Sequence, residues 1–276
     1  MNADPRIRVV ELAERKRLTA RPRAPVANRL LAALPGKEYQ RLLPELEQVA
    51  LPFAEVLYVP GGRIRHVYFP NDSVVSLLAE VADRSTLEVA VVGNEGVAGI
   101  SVFMGVDASR HRAIVQGSGT VMRLRASVLR REAARVGPLH RLLHLYAHSL
   151  LTQVSQSAAC NRFHLVDARL ARWLLTTGDR LGTNEFRLTQ DFISNMLGVR
   201  REGVNKAASD LQKNDLINYS RGRIKILNRA GLEAVSCECY WIIKDESDGY
   251  LGKSWTLGCG GDVSSPPPQP GCRRQG

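Results

Sequence analysis

LTQDFISNMLGVRREGVNKAASDLQKNDLINYSRGRIKILNR, residues 188–229, reads as two short helices joined at a glycine and followed by a small basic hairpin. The first helix is expected from Gln190 to Leu197, with Thr189 as N-cap, because a hydroxyl there can accept from an otherwise unpaired backbone N–H. Phe192, Ile193, Met196 and Leu197 give it one apolar face. Gly198 stands where a tight inter-helix turn needs a positive φ. The second helix turns Val204, Ala207, Ala208 and Leu211 inward, which leaves Arg200, Arg201, Glu202, Asn205 and Lys206 on or near the opposite face of its first turns. Arg, Asn and Glu each match a donor or acceptor pattern on base edges. A helix-turn-helix lays that end of its second helix in the major groove. Asn218 to Ile226 then alternates around Gly222 and reads as a wing, with Arg221 and Arg223 as further cations. Between Phe186 and Gly231 nine Lys/Arg face four Asp/Glu, so the segment is a candidate for binding double-stranded DNA.

The rest of the composition agrees. The 276 residues allow two domains, and a net charge of +11 favours a polyanionic partner. Nucleic acid is the commonest such partner and an anionic membrane surface the competing one; no window offers the roughly 18 uncharged apolar residues of a membrane span, and no membrane partner is expected. The first 27 residues hold seven basic and three acidic side chains and no apolar signal core, and read as a basic arm. Cys160, Cys237, Cys239, Cys259 and Cys272 fit no disulfide or zinc spacing and read as free thiols in a cytoplasmic protein with no metal site. No Gly-x-Ser-x-Gly, Walker A or His-Glu-x-x-His motif is present, and no catalytic residue or enzymatic activity is expected.

Along the chain, residues 27–50 read as two short amphipathic helices broken at Pro35-Gly36 and Pro44. Short strand-like runs follow at Val56–Val59, His66–Pro70, Val74–Leu78, Leu87–Val92, Ala113–Gln116 and Thr120–Leu124, with turn residues between them, as in a compact barrel or sandwich. A long helix begins near Pro138. Its stripe of Leu139, Leu143, Tyr146, Leu150 and Val154 suits a dimer seam or a core-facing helix, and the seam is the expectation here. The organisation expected is a basic arm (1–27), a β-roll sensor domain (28–132), a dimerisation helix (133–165), a winged helix-turn-helix domain (166–242) and a disordered tail (243–276). The fold class is α+β, with a cupin-like jelly roll ahead of the long helix and the winged helix.

In this order of elements the chain resembles the Crp–Fnr superfamily of transcription regulators. The residues that carry the resemblance are Arg169 to Leu175, Leu188-Thr189-Gln190, Gly198 to Val204, and Leu216-Ile217 with Tyr219 to Gly222. The resemblance implies a homodimeric, sequence-specific DNA-binding regulator that contacts RNA polymerase. By position the family's base-reading residues fall on Arg201, Glu202 and Lys206, and Thr189, Gln190, Arg221 and Arg223 are expected on phosphate. Lys206 departs from the family's frequent arginine and lacks its bidentate fork. The sensor end departs further. Where cyclic-nucleotide binders place Gly-Glu-Leu and, later, Arg-Ser or Arg-Thr, this chain has Gly99-Ile100-Ser101 and Ser109-Arg110-His111-Arg112. Ile100 cannot accept from a ribose hydroxyl, so cyclic AMP is not expected in the family's usual mode, although Arg110 and Arg112 could hold another anion. An N-terminal iron–sulfur cluster is not expected, since the first cysteine is Cys160, and His66 and His111 read as ordinary residues, not haem ligands. No cofactor is assigned. The alternative reading is a small-molecule-binding signalling module whose DNA binding is secondary or lost.

Overall fold

The apolar runs of the first half fold as two antiparallel sheets. In a computed structural model, which describes residues 27–80 and 85–251, helices α1 (Arg29–Ala32) and α2 (Gly36–Leu42) lead into seven strands. These are β1 (Glu47–Leu51), β2 (Val56–Tyr58), β3 (His66–Pro70), β4 (Val74–Glu80), β5 (Thr86–Val92), β6 (Arg112–Gly117) and β7 (Gly119–Arg125). One sheet has the order β1-β7-β3 and the other β2-β6-β4-β5. Val67, Phe69, Val75, Leu77, Val115, Val121 and Leu124 fill the space between them. Each strand expected from the sequence is present. The expectation of helix up to residue 50 is corrected: Glu47 to Leu51 form β1, held by a full antiparallel register with β7 from Glu47↔Arg123 to Leu51↔Gly119. A five-residue segment has little helical preference to set against a complete ladder.

Val74 to Leu78 are all buried, where a strand with one wet face would alternate. The reason lies outside the roll. Leu78 and Ile114 point away from the first core and into a second one, built by the C-terminal half. After α3 (Ala126–Ala133) and α4 (Pro138–Phe163), the chain forms α5 (Val166–Leu181), β8 (Glu185–Arg187), α6 (Gln190–Leu197), α7 (Arg201–Lys213), β9 (Ile217–Ser220), β10 (Arg223–Ile226), α8 (Arg229–Val235) and α9 (Cys239–Gly249). Trp173, Leu174, Ile193, Leu197, Val204, Leu211 and Ile224 make that second core, with Leu78 and Ile114 among them.

Polar contacts cross the same junction. Arg180 of α5 pairs with Glu95 at 2.9 Å, both side chains more than nine-tenths buried. Gln116 donates to Thr177 Oγ1 at 2.8 Å while accepting from Ser76 Oγ at 2.7 Å. Trp173 Nε1 donates to Glu88 Oε1 at 2.8 Å.

Helix α4 begins at Pro138, and the backbone N–H of Leu139 donates to Glu38 Oε2 at 2.8 Å, which places an anion on the helix N-terminus. The seam expected on this helix is corrected for its strongest members. Leu139, Leu143 and Tyr146 are 3%, 0% and 3% exposed within the chain's own core, and Leu150 and Val154 pack against that core. The expected tail is corrected as well. Residues 239–249 are helical, because Tyr240 and Ile243 are buried and Tyr250 donates to the backbone carbonyl of Glu95. The N-terminal arm to residue 26, the tail from 252, and with it Cys259 and Cys272, lie outside the described residues.

Candidate nucleic-acid interface

Helix α6 starts as its sequence requires. Thr189 Oγ1 accepts from Phe192 N at 3.1 Å, so this hydroxyl caps the helix. The helix ends at Gly198, whose φ of 60° lets the chain turn directly into α7. Gly198 also lies against the roll, since a Cβ there would come within 2.7 Å of Leu87 Cδ1. Val204, Ala207, Ala208 and Leu211 fix the rotation of α7 by burial. That rotation leaves Arg200, Arg201, Glu202, Asn205 and Lys206 exposed in its first two turns.

The polar ends of this face are already tethered. Gln190 Nε2 donates to Asn205 Oδ1 at 3.1 Å, and Arg201 Nε donates to Gln190 Oε1 at 3.4 Å and lies 3.6 Å from Asp191 Oδ1. Such exposed pairs are weak and exchange readily for base or phosphate contacts. The wing stands beside them. Strands β9 and β10 pair from Arg223↔Ser220 to Ile226↔Ile217, and Arg221 and Gly222 carry the tip with φ of 49° and 73°. Two consecutive left-handed residues match the twist of a tight hairpin. Leu188 N donates to Gly222 O at 2.7 Å, and Tyr219 Oη donates to Leu188 O at 3.0 Å. The wing is thereby tied to the start of α6. Arg221 and Arg223 are exposed, the latter 3.4 Å from Glu185 Oε1. Every residue expected on DNA from the sequence thus falls on α6 or α7, at one of their N-caps, or on the wing.

The residues considered for an effector pocket are less uniform. Gly99 has a φ of 99° and packs against Ile64 and Val67, and Ile100 is buried in the roll's core. The buried Tyr58 hydroxyl bonds to the backbone of Gly99, although burial is what raises its pKa. Arg112 is neutralised by an ion pair with Glu80, whereas Arg110 is exposed. The segment carrying Arg110 lies next to the Gly61–Ile64 turn through hydrogen bonds from Gly61 N to Ser109 O and from Ile64 N to Asp107 O.

A second cluster was not assembled by sequence reasoning. Cys160, His164, Cys237 and Cys239 bring one donor atom each to within 4.8 Å of one another. The Sγ atoms of Cys160 and Cys237 are 3.5 Å apart, and Cys239 Sγ is 3.4 Å from His164 Nδ1. The Cys160 thiol is held well below its ordinary range, first by the hydrogen bond from Cys237 and also by the charge of Arg172. Cys160, Cys237 and Cys239 are free thiols, as expected, but the expectation of no metal-ligand grouping is corrected by their convergence with His164. The sequence signal that could have found the cluster is Cys160-x-x-x-His164, one turn apart at the end of a helix.

Residues 168–235 match the Crp-like helix-turn-helix domain family. A search of curated proteins by sequence finds no match. Solved structures share the fold. FixK2 from Bradyrhizobium japonicum superposes with a TM-score of 0.60 at 19% identity, over 70% of this chain and 98% of that one. A crp/fnr-family transcriptional regulator from Eubacterium rectale gives 0.60 at 16% identity, over 75% and 96%. The c-di-GMP-responsive regulator CLP of Xanthomonas campestris gives 0.56 at 16% identity, over 70% and 99%. With its β-roll, its long helix and a Crp-like helix-turn-helix domain, the chain has the architecture of a Crp/Fnr transcription regulator.

Proposed function

We propose that the protein is a homodimeric, sequence-specific DNA-binding regulator that works in the cytoplasm and contacts RNA polymerase. The observation that carries the DNA reading is the exposed set in the first two turns of α7, Arg201, Glu202, Asn205 and Lys206, presented beside the wing cations Arg221 and Arg223 while the opposite face is buried. Arg201 and Glu202 read base edges, Lys206 takes a base or a phosphate, and Thr189, Gln190, Arg221 and Arg223 hold the backbone. Selection of binding sites from a random-sequence pool, followed by gel shift at fixed salt, tests this. A two-fold-symmetric site bound far more tightly than its scrambled version is expected. Equal affinity for every sequence would sink the reading.

The dimer reading rests on the outer face of α4. His144, His148, Leu151, Ser155, Ala158 and Arg162 are exposed at alternating spacings of four and three, which is the seam period of paired helices, and Leu151 is 64% exposed. Two half-sites one helical turn apart need two linked recognition helices. Sedimentation at micromolar concentration is expected to give twice the chain mass.

The effector is proposed to be an anion other than cyclic AMP held in the usual way, because Ile100 is apolar and buried and Arg112 is already paired. Calorimetry with cyclic AMP, cyclic GMP and c-di-GMP decides this. Tight cyclic-AMP binding that vanished in Arg110→Ala would show that the missing carboxylate is no obstacle.

A further inference from the structure

We propose that Cys160, His164, Cys237 and Cys239 bind a single divalent transition-metal ion of the zinc type, closing the end of the long helix α4 onto the link between α8 and α9. Cys160 and His164 lie one helical turn apart at the C-terminus of α4. Cys237 lies in the short link that enters α9 and Cys239 opens that helix, with Glu238 between them. Three of the four are more than nine-tenths buried, and His164 is partly so.

The spacing selects the kind of ligand. A tetrahedral ion bonded at about 2.3 Å to sulfur and about 2.0–2.1 Å to nitrogen holds its donors roughly 3.5–3.8 Å apart. Two pairs here stand at 3.5 and 3.4 Å, and no pair exceeds 4.8 Å. A cluster of several irons bridged by sulfide would push the four donors wider. A disulfide would need Cys160 and Cys237 at about 2.05 Å and would leave Cys239 and His164 without a role. Three thiolates and an imidazole are a borderline-soft set, which favours zinc over magnesium or calcium.

Two further observations fit a resident ion. His164 Nδ1 faces Cys239, while His164 Nε2 lies 3.1 Å from Glu238 Oε1. A carboxylate on the far nitrogen of a ligating histidine fixes its ring orientation and raises its basicity. The surrounding charge is of the complementary sign. Three thiolates around a dication leave one net negative charge, and Arg169 and Arg172 both act electrostatically on Cys160 and Cys237. Both guanidinium groups are buried, with their Nε atoms lacking a hydrogen-bond partner among the described residues. A net negative metal centre beside these two buried cations offsets part of the cost of burying them. Four protein donors leave no open position, so the site is structural, not catalytic. It fastens the hinge between α4 and α5 to the C-terminal helix.

The full chain, stripped of metal by a chelator under reducing conditions, is titrated with cobalt(II). One equivalent per chain should bind, with strong thiolate-to-cobalt charge-transfer absorption and the visible bands of a tetrahedral ion, and zinc(II) should displace it. Cys160→Ser and Cys239→Ser should each abolish the signal. Glu238→Gln, which alters no ligand, should keep the spectrum and weaken affinity by about 10- to 100-fold. That variant and the wild-type titration decide the matter even where a cysteine variant fails to fold. The proposal fails if the stripped chain keeps its native circular dichroism and gives no cobalt bands. It also fails if the isolated protein holds a Cys160–Cys237 disulfide, or iron together with acid-labile sulfide.

Discussion

Arg201 is 3.4 Å from Gln190 and 3.6 Å from Asp191, in exposed contacts that a DNA major groove can replace at small cost. Arg201→Ala should therefore weaken a selected site by about 1–3 kcal/mol and relax preference at one base pair, read by gel shift on single-base variants. Glu88 behaves differently. Burial at the domain junction pushes its pKa up to about 7, against the hydrogen bond from Trp173 and the charges of Arg172 and Arg180. The folded chain holds this proton more tightly than the unfolded chain does. Its contribution to stability is complete below about pH 4.5 and is lost as pH rises through about 7. Denaturant melts between pH 5 and 8 should show this decline, and Glu88→Gln should flatten it. The exposed face of α7 was legible in the sequence because a helix that follows a glycine turn places it by local periodicity. The cysteine–histidine cluster was not, because 77 residues separate Cys160 from Cys237 and only the docking of α9 beside α4 joins them.

Helix α4 shows what periodicity can and cannot say. The sequence marks an apolar stripe correctly but does not say which surface receives it. Leu143 faces the roll and is 0% exposed, while Leu151 is 64% exposed. Leu143→Glu should destabilise the fold by at least about 3 kcal/mol, seen as a lowered denaturation midpoint. Leu151→Glu should leave the melt nearly unchanged and, on the proposed outer seam, sediment at the mass of one chain. The reverse pattern would return the seam to the inner face. In the wing, Arg223→Ala should lower affinity for all sequences alike and reduce the slope of log K against log salt by about one. Strand β1 was missed because its five residues carry little signal of their own, and β7 alone decides their conformation. Helix α9 was missed because its buried Tyr240 and Ile243 answer to α4 and α5, which the local pattern does not reveal.

At the level of the whole molecule, the roll and the DNA-binding domain share a core. Leu78 and Ile114 of the roll sit among the helix-turn-helix residues, and Arg180 reaches back to a buried Glu95. Arg180→Ala would leave Glu95 charged and unpaired, at a cost of about 3–5 kcal/mol. Calorimetry should show one transition for the wild-type chain, and two for a variant in which this junction has come apart. The junction also bears on exchange between relatives. A chimera that joined this helix-turn-helix segment to another roll would have to bring Leu78 and Ile114 with it, because they complete its interior from outside its own stretch of sequence. Recombination at the end of α4, where the order of elements invites a cut, would therefore separate residues that can only vary together.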